Sequence, residues 1–436
     1  MDASTSSRLK DLFETKLNGA MRLYLDTCAR CGVCVEACHA YASMPQTRYT
    51  AVGRAEVIRK IFKRYFKLEG KFSPWLGEVL PLDDVTLDLV SDAAWSCTGC
   101  RRCMTFCPFG IDTQMIMSIA KLLLIGADKE PKLLTMLSDM SIAKADGIEE
   151  TRPGFEKAIR NLEPDIRALW AGSPGQSAVT VDAEGTDVLY VGLAGAHSIV
   201  PAAAIMNAAG EKWTLSVFEA VNFAAFLGDP KKMQIIARRI HDEAARLKVK
   251  EVAIVECGTA FRVMKYMTGV HPFKVVAFVE LIARYLKEGR IRLDGTKLKG
   301  RLTYHDPCQI ARNGGVMEEP RYVIKNLTRD FVELLPNRAE NWCCGGGGGL
   351  VALGEQDFRM KSAKVKADQM KGSGAEIICT ACENCHTQLT DINTHYGIGM
   401  RVEFLSKLVA DALINKAAPG GHEDSSRRGA LCAGPE

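Results

Sequence analysis

The sequence predicts a mixed α+β and α/β chain, in which a helical, cysteine-bearing N-terminal domain is followed by two α/β modules. Three observations carry that expectation. Cysteines cluster at 28 to 38 and again at 97 to 107, inside segments of helical periodicity. From Asp187 onward, short β-branched runs alternate with helical stripes, the pattern of α/β units. Within that second half, "EVAIVECGTA" (251 to 260) lies over "EIICTACENC" (376 to 385) at a constant offset of 125 residues. A repeat of strand, helices and strand marks two copies of one βαβ-type module.

The elements follow in order. Leu9, Phe13, Leu17, Ala20, Met21 and Tyr24 form a stripe over 7 to 24 that predicts a helix packed on its own domain. Between the cysteine clusters, "RAEVIRKIFKRYFKLEGK" reads as a basic amphipathic helix. Arg54, Arg59, Lys60, Lys63, Arg64 and Lys67 are expected on a solvated face, able to meet an acidic partner or lipid headgroups. The N-terminal domain is set at 1–150. Residues 151–186 are expected to be a linker, because their second part is rich in Pro, Gly and Ser. The first module is set at 187–297 and the second at 298–415. An amphipathic helix precedes each repeated strand, with Met233, Ile236, Ile240, Ala244 and Leu247 in one and Met360, Ala363, Ala367 and Met370 in the other. "GLAGAH" (192 to 197) lacks dinucleotide-loop spacing and reads as a tight turn. Residues 416–436, with Cys432, form a flexible tail.

Composition narrows the function classes. The 436 residues carry a net charge of only +4, which argues against nucleic acid as a partner. The start, "MDASTSSRLK", has no apolar core, and no run of about twenty apolar residues occurs, so a cytoplasmic location without a membrane span is expected. Sixteen cysteines in such a compartment read as metal ligands or redox groups, because stable disulfides are rare there.

Their spacing says which. Cys28, Cys31, Cys34 and Cys38 stand as C-x2-C-x2-C-x3-C, and Cys97, Cys100, Cys103 and Cys107 repeat it with Pro108 following. Such a run wraps three thiolates around one corner of a 4Fe–4S cubane, and the fourth serves the other cluster in two-cluster ferredoxins. Cys28, Cys31, Cys34 and Cys107 are therefore expected on one cubane, and Cys97, Cys100, Cys103 and Cys38 on the second. Zinc also uses C-x2-C, but its sites split the ligands into two distant pairs. His39 stands where the first motif would carry a proline.

A third set, Cys308, Cys343, Cys344, Cys382 and Cys385, lies at strand ends of the second module and should converge on one crevice. Five thiolates exceed what one zinc or one cubane needs. The five glycines at 345 to 349 should let backbone approach the sulfur atoms and turn N–H groups toward them. His305 and His386 flank this set and could donate to sulfur. Cys257 and Cys379 are expected to be buried strand-end and core thiols.

This order of motifs, two ferredoxin runs and then two cysteine-rich modules, resembles the CCG-domain iron–sulfur family, which includes the catalytic subunit of heterodisulfide reductase. The resemblance implies a noncubane 4Fe–4S cluster on Cys308, Cys343, Cys344, Cys382 and Cys385, and a site that cleaves or forms disulfides. In the first module the family's ligand positions fall near Ala194, at Val217 to Glu219, at Cys257 and at Ala260. Only Cys257 is a cysteine, so that module is expected to hold no cluster. The degenerate module and the size make the chain most similar to the CCG subunits of the Tmc and Hmc transmembrane complexes of sulfate reducers, with the Dsr subunit related. That implies an oxidoreductase subunit of anaerobic respiration, peripheral on the cytoplasmic face of the membrane. Its implied partners are a membrane cytochrome b-type subunit and a periplasmic multihaem cytochrome c, with a small thiol/disulfide protein as one acceptor. An iron–sulfur subunit of a flavin-dependent hydroxyacid or glycerol-3-phosphate oxidase, and a pure electron relay, share the same layout.

Overall fold

The computed structural model describes residues 1–72, 74–75, 78–170, 178–193 and 195–414. The expected tail with Cys432, residues 171–177 of the expected linker, and Ala194 lie outside the described residues.

Three helices form the centre of the N-terminal core, with Leu9, Phe13, Met21 and Leu25 of the two preceding helices packed into it. Ala51–Phe66, Asp84–Trp95 and Thr113–Gly126 bury Ile58, Phe62, Leu87, Val90, Ile116 and Leu123 against one another. Each begins on a side chain that accepts from its first turn: Thr50 from the Gly53 N–H, Asp83 from Thr86, and Asp112 from Gln114 and Met115. The stripe at 7–24 divides into Ala3–Glu14 and Gly19–Asp26, because Asn18 accepts from the Met21 N–H and restarts the helix. The basic helix forms, but two of its cations turn inward instead of facing water. Arg59 is buried, donates to the Leu25 carbonyl at 2.9 Å and pairs with Glu56. Arg54 is buried as well and belongs to the cysteine loops.

The stretch expected as a linker is largely helical, over Ile148–Arg160 and Glu163–Leu169. Ile159, Ile166 and Trp170 are buried in the core and Phe155, Leu162 and Leu169 pack against it, while the rest of the stretch is largely polar and imitates a linker. Just before the first strand, Val181 makes a parallel bridge to Leu215.

Both modules are parallel sheets. β1 (Val188–Val191), β2 (Trp213–Leu215), β3 (Glu251–Ile254) and β4 (Lys274–Ala277) run in the order β2-β1-β3-β4. β5 (Leu302–Tyr304), β6 (Ile377–Thr380) and β7 (Arg401–Phe404) run in the order β5-β6-β7. A parallel bridge from Leu302 to Phe331 sits at the edge that β2 occupies in the first sheet, so the two sheets share one topology. β1, β3, β5 and β6 are buried throughout, as helices on both faces of a parallel sheet require.

The modules exchange helices. Ala196–Ala208 of the first packs on Leu405–Asp411 of the second, and Glu318–Leu327 of the second packs on Phe278–Lys287 of the first. An antiparallel bridge from Leu293 to Leu413 closes the same seam. One apolar core therefore runs through both modules and includes Cys343, Cys344, Cys382 and Cys385.

Beside those cysteines, the seam is polar. The Glu383 N–H donates to the Glu256 carbonyl at 2.5 Å, and Ser406 Oγ donates to the Glu256 carboxylate. Burial pushes that carboxyl from its ordinary 4.5 up to about 7. Between those values the folded state alone holds the proton, so stability falls as pH rises across that window. Urea unfolding at about pH 5 and about pH 7.5 is expected to show a smaller pH-dependent loss for Glu256→Gln than for the unsubstituted chain.

Candidate metal centres

Cys28 and Cys31 lie on the loop after the Gly19–Asp26 helix, Cys34 lies in the short helix Val33–Glu36 that follows, and Cys107 closes the Arg102–Phe106 helix. All four line one surface cavity with Val33 and Phe109. Cys31 is exposed. Arg30 and Gly32 take left-handed backbone at φ 54° and 82°, and Gly99 and Arg101 do the same at 67° and 61° in the second run. The two loops thus share one fold, each turning twice around its thiols.

The second set is deeper. Cys38 Sγ accepts from Arg54 Nη1 at 3.3 Å, and the same guanidinium donates to Ser96 Oγ at 2.9 Å and the Ser96 carbonyl at 2.7 Å. The charges of Cys38, Cys97 and Cys103 all act on Arg54 and hold its pKa up against burial. Burial drives the Cys103 thiol well up, with Cys100 and Cys97 adding to the rise. Arg101 pairs at 2.8 Å with Asp112, whose other oxygen caps the Thr113–Gly126 helix.

The third set is contiguous. Cys343 lies in hydrogen-bonding reach of Cys308, Cys344 and Cys100, and Cys344 Sγ meets Cys385 Sγ at 3.5 Å, with Cys382 beside Cys385. Donation from Cys100 and Cys308 brings the Cys343 thiol down to about 6, while Cys100 itself rises to about 11. Thr98 Oγ1 lies 3.4 Å from Cys343 Sγ, and the Gly345 N–H donates to that sulfur at 3.3 Å.

Two imidazoles bracket these thiols. The donor atoms of His39, Cys100 and Cys343 all fall within 4.8 Å of one another, as do those of His305, Cys344 and Cys385. Both rings are buried, and the Nε2 of each has no partner. Asn341 Nδ2 lies 3.2 Å from His305 Nδ1, and its Oδ1 accepts from Lys366 Nζ at 2.9 Å. Those bonds orient the amide, so His305 accepts at Nδ1 and carries its hydrogen on Nε2, toward the sulfurs. Burial and the nearby Lys366 charge keep His305 neutral. His386 is elsewhere, stacked on Phe404 with ring centroids 4.1 Å apart.

Sequence reasoning missed the cations at the site, Lys366 and Arg102 buried and Arg312 half-buried. Lys366 is wholly buried, and burial lowers its pKa to about 7 against the pull of Cys344 and Cys343. Arg312 donates to the carbonyls of Cys100 at 2.8 Å and Ala339 at 2.5 Å, and to that of Asn341. Arg102 donates to Ala37 O at 3.0 Å and Glu340 O at 2.7 Å, with its guanidinium 3.6 Å over the Trp342 ring. A buried arginine leaves no periodic trace, and its side-chain partners here are main-chain carbonyls distant in sequence.

The glycines do more than approach sulfur. A Cβ on Gly347 would lie 2.6 Å from the Thr98 carbonyl oxygen, and one on Gly348 2.7 Å from that of Cys97. The loop is pressed against the second cysteine run. In the first module, Cys257 sits beside Cys382, its thiol pushed up to about 12 by burial and that neighbour. The Val217 N–H donates to Glu243 at 3.0 Å, Ala260 is buried, and no second thiol of that module faces Cys257 among the described residues. Cys379 is core.

Comparisons with known proteins agree with this plan. Residues 24–111 match the 4Fe-4S dicluster domain, and residues 302–390 match the cysteine-rich CCG domain. The chain is 26% identical to the Hdr-like menaquinol oxidoreductase iron-sulfur subunit 2 of Archaeoglobus fulgidus over 95% of its own length and 84% of that protein. It is 26% identical to one of the subunits of the dihydromethanophenazine:CoB–CoM heterodisulfide reductase of Methanosarcina mazei, over 91% of this chain and 96% of that one. It is also 25% identical to the EtfAB:quinone oxidoreductase of Syntrophomonas wolfei, spanning 55% of that protein. The fold and its cysteine loops define an iron–sulfur oxidoreductase subunit. The chain carries a 4Fe-4S dicluster domain and a CCG domain, and along most of its length it is similar to iron–sulfur subunits of heterodisulfide reductase-like enzymes.

Because Gly347 abuts backbone, Gly347→Ala is expected to destabilise the chain by about 1–3 kcal/mol in denaturant unfolding. Gly154→Ala, in a helix with open space around it, is expected to cost nothing.

Proposed function

We propose that the three cysteine sets hold three 4Fe–4S clusters in line. The assignment is a cubane on Cys28, Cys31, Cys34 and Cys107, a cubane on Cys38, Cys97, Cys100 and Cys103, and a noncubane cluster on Cys308, Cys343, Cys344, Cys382 and Cys385. The observation that carries the reading is the joint between the last two sets, where Cys100 meets Cys343. The donor chemistry fits such clusters. Thirteen soft sulfur ligands are available, the second set lies beside the buried Arg54 and the third beside the buried Lys366, and the imidazoles of His39 and His305, each with an orphaned Nε2, group with sulfurs of the third set. Clusters bound there supply one-electron transfer, and the third offers iron to a sulfur-containing reactant.

The chain's own residues do the rest. The exposed edge near Cys31 meets the electron donor or acceptor, while Arg54, Thr98 and the Gly345 N–H stabilise charge on the deeper sulfurs. His305 presents a hydrogen at Nε2 to the five-cysteine site, where a disulfide-type or other cytoplasmic acceptor is reduced, or a thiol oxidised. Among the described residues no helix is long and apolar enough to cross a membrane. Relatives named for menaquinol and dihydromethanophenazine support a place in a membrane-bound complex of the Tmc or Hmc kind, on its cytoplasmic face. A cytochrome b-type subunit and a multihaem cytochrome c are its proposed partners there. The match to a quinone oxidoreductase named for electron-transfer flavoprotein favours a second reading, in which a flavoprotein is the donor.

Anaerobic purification tests the account. The chain is expected to carry about twelve irons, and Cys343→Ser about eight; eight in the unsubstituted chain overturns the third cluster. Adding a disulfide to the oxidised protein is expected to produce a new EPR signal. An unchanged spectrum leaves a relay. Copurification with a haem-bearing membrane subunit supports the membrane reading, and with a flavoprotein the second.

A further inference from the structure

We propose that His39 is the positioning residue at the joint between the second and third centres, where its Nε2–H gives a hydrogen bond to sulfur shared by the Cys100 and Cys343 sides. The inference rests on the reading that those two cysteines hold clusters.

The sequence marks the position first. The second cysteine run carries Pro108 after its fourth cysteine, whereas the first carries His39. Proline there needs no partner. An imidazole brings two polar nitrogens into the interior, and each must be satisfied. His39 is 3% exposed, and its Nε2 is without a partner. Leaving that group unmet costs about 1–3 kcal/mol, more than a packing role explains.

The geometry then fixes what meets it. The ring's donor atom and the sulfurs of Cys100 and Cys343 fall within one 4.8 Å group, so the imidazole faces a ligand from each run. Arg102 ties Ala37, two residues before the ring, to Glu340, and Arg312 ties Cys100 to Ala339 and Asn341. These arginines tie together the chain segments on both sides of the joint. Arg54 is the other charged group acting on the ring, and its own hydrogen bonds go to Cys38 and Ser96. The sulfur at the joint is thus the acceptor left for Nε2–H.

Hydrogen bonds to cluster sulfurs set reduction potential, because they stabilise the more negative, reduced state. His39 accordingly biases an electron toward the joint. The test uses the full chain purified anaerobically as His39→Leu and His39→Gln, with iron content and EPR-monitored redox titration. His39→Leu is expected to keep the iron of the unsubstituted chain while lowering the potential of the second or third centre. The distribution of an electron between that centre and the first shifts by roughly tenfold, the weight of one hydrogen bond to a charged sulfur. His39→Gln, which keeps a donor, is expected to restore it. Full iron with unmoved potentials in His39→Leu overturns the proposal alone, whereas about eight irons in the unsubstituted chain overturns the three-cluster reading beneath it.

If His39→Leu loses its clusters, pulsed EPR on the unsubstituted chain labelled with [15N]histidine decides. A weak nitrogen coupling that disappears in His39→Gln supports the hydrogen bond. No coupling, or the strong coupling of a direct metal ligand, overturns it.

Discussion

Sulfur charge inside a protein is the constraint from which this structure follows. A thiolate taken out of water is costly unless a cation or a donor meets it, and here two cysteine sets are buried side by side. Arg54, Arg102, Arg312 and Lys366 answer that need. Their hydrogen bonds go mainly to the carbonyls and side chains of the cysteine loops: Ser96, Ala37, Cys100, Ala339 and Asn341. Each cation therefore balances charge and holds a loop in place. A neutral replacement would lose the first effect, and an apolar one of equal size both.

The two α/β modules divide their work. Both place chain turns at the carboxyl ends of parallel strands, where ligands of open α/β sheets gather, but only the second gathers a set of thiols there. The first answers with apolar side chains and buried carboxyls, and with Cys257 against Cys382. Its helices Ala196–Ala208 and Phe278–Lys287 pack on Leu405–Asp411 and Glu318–Leu327 of the second module. A module without a thiol set thus still serves as scaffold, because helices of the second are buried against it.

Much of this was legible in the sequence. The cysteine runs, the repeat at 251 and 376, and the five-cysteine set need only spacing, and spacing survives folding unchanged. What escaped was decided by contacts distant in the chain. Arg54 and Arg59 read as solvated because charged residues on an amphipathic helix face water by default, and nothing local shows that Cys38 or Leu25 will reach them. Lys366 stands in a lysine-rich helix whose neighbours Lys364 and Lys361 pair at the surface. The helices at 148–169 were hidden by polar residues, since a few apolar side chains, Phe155, Ile159, Leu162 and Ile166 among them, suffice to dock them.

The glycines at 345 to 349 join these threads. Direct N–H donation to sulfur needs one or two backbone groups, and Gly345 provides one. Gly346 faces Gln388 and Val351, Gly347 and Gly348 lie against the Cys97–Thr98 backbone where side chains cannot fit, and Gly349 faces Leu134 and Phe226. Contact of loop on loop, with no Cβ between, brings Thr98 to Cys343 and Cys100 to the same sulfur. Electron transfer weakens steeply with distance, so a joint built backbone to backbone keeps the two cysteine sets close without a side chain between them. Lys121, buried under that loop and bonded to the Gly348 carbonyl at 3.1 Å, fixes it from below. The glycine run is thus a spacing device, and its length follows from the number of faces along which the loop is pressed.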